Sequence, residues 1–68
     1  MKVAVNGTVQ DFENRPKLLD ILEASVGPGA PPGVAIAING EVVRRANWPN
    51  VRLAEGDEVE IVKATQGG

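Results

Sequence analysis

Two glycines, Gly67 and Gly68, close the 68-residue sequence, and the chemistry of this chain has to be sought there because so much else is missing. It contains no cysteine and no histidine. That excludes thiolate and imidazole catalysis and removes the usual soft ligands for zinc, iron or copper. Carboxylates, hydroxyls, lysines and the chain ends remain. The side-chain carboxylates offer no convincing acid/base pair. Asp57 and Glu58 are adjacent and point to opposite faces of a strand, while Asp20 and Glu23 lie one helical turn apart and read as a solvated helix face rather than a metal site.

An α-carboxyl group titrates at about 3.3–3.7, so near neutral pH it is an anion and a poor acceptor for nucleophiles. Transfer to ATP as an acyl-adenylate supplies a good leaving group, after which a sulfur donor can produce a thiocarboxylate. The chain end must then thread from a folded body into another enzyme's nucleotide site. Residues without Cβ pass through the narrowest channel and adopt the widest range of φ and ψ. A carrier built this way needs no catalytic side chain of its own, because its partner supplies the nucleotide, the metal and the base. Taken alone, a Gly-Gly end also reads as an ordinary unselected terminus.

The elements that must carry such a tail follow from periodicity. Val3 and Val5 alternate with small or polar residues, Asn6-Gly7 interrupts, and Thr8 to Phe12 resumes the pattern; this reads as a β-hairpin with a type I′ turn. From Pro16 to about Val26, Leu18, Leu19, Ile21, Leu22 and Val26 fall at helical spacing, with Asn14 as candidate N-cap and Gly27 as C-cap. Gly27 to Gly33 is a connecting loop rich in proline and glycine. Val34 to Ile38 is apolar on both faces, as an interior strand requires, and Asn39-Gly40 turns it into Glu41-Val42-Val43. Residues 44 to 53 read as irregular, broken by Trp48-Pro49, and a turn at Glu55-Gly56-Asp57 precedes a last strand from Glu58 to Ala64. The order predicts an α+β fold: a mixed sheet of four to five strands with one main helix packed across one face, in a single domain over 1–64 and a flexible tail over 65–68. Ile36, Ile38, Val59 and Ile61 are the expected core of one face.

Composition narrows the partners. A domain this small removes only about 60% of its unfolded surface from water, and no disulfide or metal is available to reinforce it. The net charge of −2, with Phe12 and Trp48 as the only aromatic residues, gives no footprint for nucleic acid. The opening apolar run is too short for a signal peptide, and nothing approaches the roughly 18 apolar residues of a membrane span. The expectation is a soluble cytoplasmic protein. Glu55, Asp57, Glu58 and Glu60, preceded by Arg44, Arg45 and Arg52, read as a solvated face, with a docking patch for a basic partner as the alternative.

Three ordered segments resemble the bacterial ThiS sulfur carriers of thiamine biosynthesis, a family of the ubiquitin-like β-grasp superfamily. They are Val34-Ala35-Ile36-Ala37-Ile38-Asn39-Gly40-Glu41-Val42-Val43, then Arg45 and Trp48, then Glu55-Gly56-Asp57-Glu58-Val59-Glu60-Ile61-Val62 running into Ala64-Thr65-Gln66-Gly67-Gly68. The likeness spans almost the whole chain. It implies a β-grasp fold and a carrier that is not itself an enzyme. It further implies that Gly68 is adenylated by a ThiF-type enzyme using ATP and magnesium, with no cofactor bound by the carrier. Gly68 would then receive sulfur from a cysteine desulfurase or equivalent and, as a thiocarboxylate, pass it to thiazole synthase (ThiG). Gly67 and Gln66 would be the flexible approach to it. A free monomer suits a carrier that must detach and travel.

Ala35, Ala37 and Val62 form a second, shallower apolar surface, and in ubiquitin-like folds the sheet face away from the helix docks partners. Trp48 is either a partner anchor on this account or, as a lone tryptophan beside proline, a cover for one edge of the core. Three other readings stay open: the small subunit of molybdopterin synthase, which shares fold and tail but differs in acceptor; a ubiquitin-like protein modifier; and a plain interaction module.

Overall fold

The computed structural model of the chain describes residues 1–29 and 32–63. β1 (Lys2–Val5) and β2 (Thr8–Asp11) form the first hairpin; α1 (Leu18–Val26) follows, then β3 (Val34–Ile38), β4 (Glu41–Val43), a 3-10 helix over Arg45–Asn50, and β5 (Glu58–Lys63). The strands make one five-stranded sheet in the order β2-β1-β5-β3-β4. β5 runs parallel to β1 and antiparallel to β3, so the last strand in sequence is the central strand in space. The five strands agree with the upper end of the expected range.

Both hairpins turn on Asn-Gly. Asn6 and Gly7 have φ of 49° and 84°, and Asn39 and Gly40 have 50° and 84°, the pair of positive angles that a type I′ turn requires and that asparagine and glycine tolerate.

The helix begins later than its sequence suggests. Its first residue is Leu18, its N-cap position is Lys17, and no side chain caps it, so Asn14 is not the cap. The reason is tertiary. The Leu18 N–H donates to the Val51 carbonyl (3.0 Å) and the Leu53 N–H donates to the Pro16 carbonyl (2.9 Å), which holds Lys17 extended in a bridge with Arg52. At the other end Gly27 closes the helix as expected, donating to the Glu23 carbonyl at 2.8 Å.

Leu18, Ile21 and Leu22 face the sheet and are buried, whereas Leu19, at the same apolar register in the sequence, is exposed. They meet Val3 and Val5 from β1, Val34 and Ile36 from β3, and Val59 and Ile61 from β5. Ile38 packs on this cluster partly buried.

Residues 45–50 are ordered rather than irregular. Their 3-10 turns close through Asn47 N–H to the Arg44 carbonyl (2.8 Å) and Val51 N–H to the Trp48 carbonyl (3.2 Å), and Pro49 costs no bond because neither donor is its own. This segment carries two core residues, Trp48 and Leu53 just beyond it, and Leu53 is fully buried.

Candidate functional site

β5 delivers the chain to residues 64–68, so the site is built outward from that strand. Both flanking halves of the fold hold it. The Asn6 side chain pairs with the Ile61 backbone in both directions: Oδ1 accepts from the Ile61 N–H (2.8 Å) and Nδ2 donates to the Ile61 carbonyl (3.3 Å). The Asn6 N–H also donates to the Val59 carbonyl at 2.9 Å. From the other side the Asn39 N–H donates to the Glu58 carbonyl (2.8 Å), and its Oδ1 accepts the Glu58 N–H (3.0 Å). Asp57 completes the turn into β5. Its carboxylate accepts from the Ala54 N–H at 2.8 Å and from Asn39 Nδ2 at 3.1 Å, which is a structural task and not an acid/base one.

Strand alternation puts Val59 and Ile61 against the helix and Glu58, Glu60 and Val62 on the open face. Register fixes their neighbours there: Ala35 opposes Val62, Ala37 opposes Glu60, and Val42 on β4 opposes Ala37. Ala35, Ala37 and Val62 therefore share one face, as their sequence positions indicated. Val42 is 77% exposed and Val62 58%, so the surface is wider than those three residues. Val42 was missed at the sequence level, although its place was readable: a two-residue Asn39-Gly40 loop obliges Ala37 and Val42 to face each other on the same side. Glu60 lies within this surface, so its apolar character is interrupted by one carboxylate. The Ala35 and Val62 pair lies toward the end of β5 from which residues 64–68 continue.

Trp48 does not join that surface. It is 3% exposed, packs within the core, and donates its indole N–H to the Val43 carbonyl at 2.9 Å. Burial removes it as a partner anchor and corrects that assignment. Arg45 stacks its guanidinium 4.6 Å from the centre of the tryptophan ring, the cation–π geometry that residues three apart on a 3-10 turn allow because they eclipse each other. The Arg45 and Trp48 pair is thus a unit of the scaffold.

Gln66, Gly67 and Gly68, and with them the tail over 65–68, lie outside the described residues. Among the described residues no cluster of carboxylates could hold a metal ion, and no helix is long and apolar enough to cross a membrane.

A central β5 between a parallel and an antiparallel neighbour, with a single helix across one face, defines a β-grasp, ubiquitin-like domain. The ThiS family model matches residues 3–68, and the chain belongs to that family, whose members are thiamine-biosynthesis sulfur carriers working with partner enzymes. The crystal structure of a thiamine biosynthesis protein (ThiS) from Geobacter metallireducens superposes with a TM-score of 0.78 at 27% identity, covering 100% of both chains. A solution NMR structure of a thiamine biosynthesis protein from the same organism gives a TM-score of 0.74 at 26% identity, covering 100% of this chain and 88% of that one. No curated protein matches the chain.

Proposed function

We propose that this chain carries sulfur on Gly68 for thiazole formation in thiamine biosynthesis. The observation that carries the reading is the family match through residue 68, which includes Gly67 and Gly68. The terminal carboxylate attacks the α-phosphorus of ATP in a ThiF-type, magnesium-using enzyme, pyrophosphate leaves, and the acyl-adenylate forms. A persulfide originating in a cysteine desulfurase or equivalent then displaces AMP to give an acyl disulfide. A partner enzyme's thiol attacks the sulfur distal to the acyl group, a disulfide forms, the thiocarboxylate leaves, and thiazole synthase (ThiG) takes the sulfur. The carrier itself performs no catalysis and binds no cofactor; it works as a monomer that moves between cytoplasmic partners.

The open sheet face supports this reading by its position. Ala35, Ala37, Val42 and Val62 form an apolar surface, and its Ala35–Val62 pair lies toward the end of β5 that leads into residues 64–68, where a partner could grip the domain while the last residues enter its active site.

Intact mass measurement after incubation with the adenylating enzyme, ATP, magnesium and the sulfur source tests the proposal. One oxygen exchanged for sulfur, in a form blocked by alkylation, is expected. A chain that is never modified, or one still modified after removal of Gly68, would refute it. Val62→Asp is expected to leave unfolding stability within about 0.5 kcal/mol, because the side chain is exposed, while slowing adenylation; an unchanged rate would remove the open face from the contact.

A further inference from the structure

A groove of about 500 Å³ lies on the helix side of the sheet, between β2 and α1, away from the open face described above. Phe12, Ile21 and Ala24 give it an apolar lining. It runs beside a strand edge left unpaired among the described residues, where β2 is the outermost strand and pairs with β1 alone. The hydrogen-bond pattern identifies which groups are free on that edge. The Phe12 N–H donates to the Met1 carbonyl (2.7 Å) and the Met1 amino group donates to the Phe12 carbonyl (2.6 Å), making Met1 and Phe12 a bonded pair. Antiparallel alternation then makes Val3 with Gln10, and Val5 with Thr8, bonded pairs as well, and turns the N–H and C=O of Val9 and Asp11 outward.

One end of the groove is cationic. Arg15 donates from Nε to the Leu53 carbonyl (3.0 Å) and from Nη2 to the Arg52 carbonyl (3.4 Å), while Lys17 and Arg52 face each other in an isolated β-bridge. Three cations are thereby gathered where β2 ends. Among the described residues the one ion pair joins the Met1 amino group to Asp11, so none of the three is neutralised by a carboxylate. Glu13 and Asp20 also line the groove, leaving it net positive on a chain whose net charge is −2.

We infer that this groove binds an extended acidic segment of a partner protein, which adds as a sixth strand to the free edge of β2. Its backbone pairs with Val9 and Asp11, and every second side chain, apolar, enters the groove against Phe12 and Ile21, as strand alternation dictates. Its carboxylates lie against Arg15, Lys17 and Arg52. The chain's own tail is not the occupant. The Gly56 N–H bonds the Lys2 carbonyl at 2.8 Å, which places the entry to β5 at the cationic end, and β5 runs from there to Lys63 at the opposite end of the sheet. A partner held in the groove would leave Gly68 free to react. The inference does not rest on the carrier reading, and binding should be the same with Gly68 deleted.

The test is an NMR titration of the full chain with a capped peptide that alternates valine with serine and ends in four glutamates. Saturable shifts at the amides of Val9, Gln10, Asp11 and Ile21, with slowed hydrogen exchange at Val9 and Asp11, are expected. Lys17→Glu should weaken binding about tenfold, and replacing the glutamates by lysines should abolish it. Val9→Pro removes an outward N–H without touching the β1 ladder and should abolish binding in a folded chain; if that variant does not fold, the Lys17→Glu comparison decides. Shifts centred on Ala35 and Val62, equal binding of the lysine peptide, no saturable shift, or protection of β2 that rises with protein concentration alone, which would mean pairing between two copies, would each overturn the inference.

Discussion

The two Asn-Gly turns are the same dipeptide in the same conformation, with φ near 50° at asparagine and 84° at glycine in both. Their side chains nonetheless do different work. Asn6 sits where β1 ends beside the middle of β5, and its amide replaces a strand residue, exchanging two hydrogen bonds with the partly buried Ile61 backbone. Asn39 sits where β3 ends beside the start of β5, and its exposed amide closes a small network through Glu58 and Asp57. The N-terminal hairpin and the β3–β4 hairpin do not pair with each other; β5 joins them. Each asparagine therefore clamps the shared strand from its own side, one in a drier place than the other. The same local code is worth a different amount of free energy depending on how much water can substitute for it.

The largest expected effect comes from Asn6→Ala. It orphans two partly buried backbone groups and puts a Cβ-bearing residue without a compensating side-chain bond at positive φ, so a loss of about 3 kcal/mol in urea unfolding is expected, together with faster hydrogen exchange at Ile61. Asn39→Ala carries the same backbone penalty but leaves exposed groups that water can satisfy, so about 2 kcal/mol is expected. Glycine at either position removes the conformational penalty and isolates the amide. Asn6→Gly should then cost about 1 kcal/mol more than Asn39→Gly, and equal losses would break the comparison. The smallest effect is Asp57→Asn, about 1 kcal/mol or less, since one acceptor oxygen remains for the Ala54 N–H. A double-mutant cycle sharpens the contrast: Asp57→Asn should couple to Asn39→Ala and add independently to Asn6→Ala.

Much of this architecture was legible because its signals are local. The hairpin turns, the Gly27 cap, the apolar stripe through Leu18, Ile21 and Leu22, and the alternation in β5 each need only a few neighbouring residues. What escaped was long-range. Asn14 and Pro16 form a respectable helix start in isolation, but backbone bonds to residues 51–53 compete for that segment and delay the helix to Leu18. Leu53 reads as one leucine in an aperiodic stretch, yet it is fully buried where its backbone N–H bonds the Pro16 carbonyl just ahead of the helix. Trp48 had two roles open to it, and the Val43 carbonyl within reach of its indole N–H favours the core. Of the candidate partner surface, Ala35, Ala37 and Val62 were gathered by alternation alone, whereas Val42 required the cross-strand register as well.

From its sequence alone this chain declares turns, strands, one helix and the exclusion of thiol and imidazole chemistry. These depend on backbone preferences and residue types, which act over a few residues and persist in any context. Only the tertiary structure decided that the last strand lies at the centre of the sheet, that Trp48 and Leu53 belong to the core, and that two identical turns hold β5 through amides that differ in exposure. Those outcomes depend on which distant groups exclude water from one another, and no local stretch of sequence contains that information.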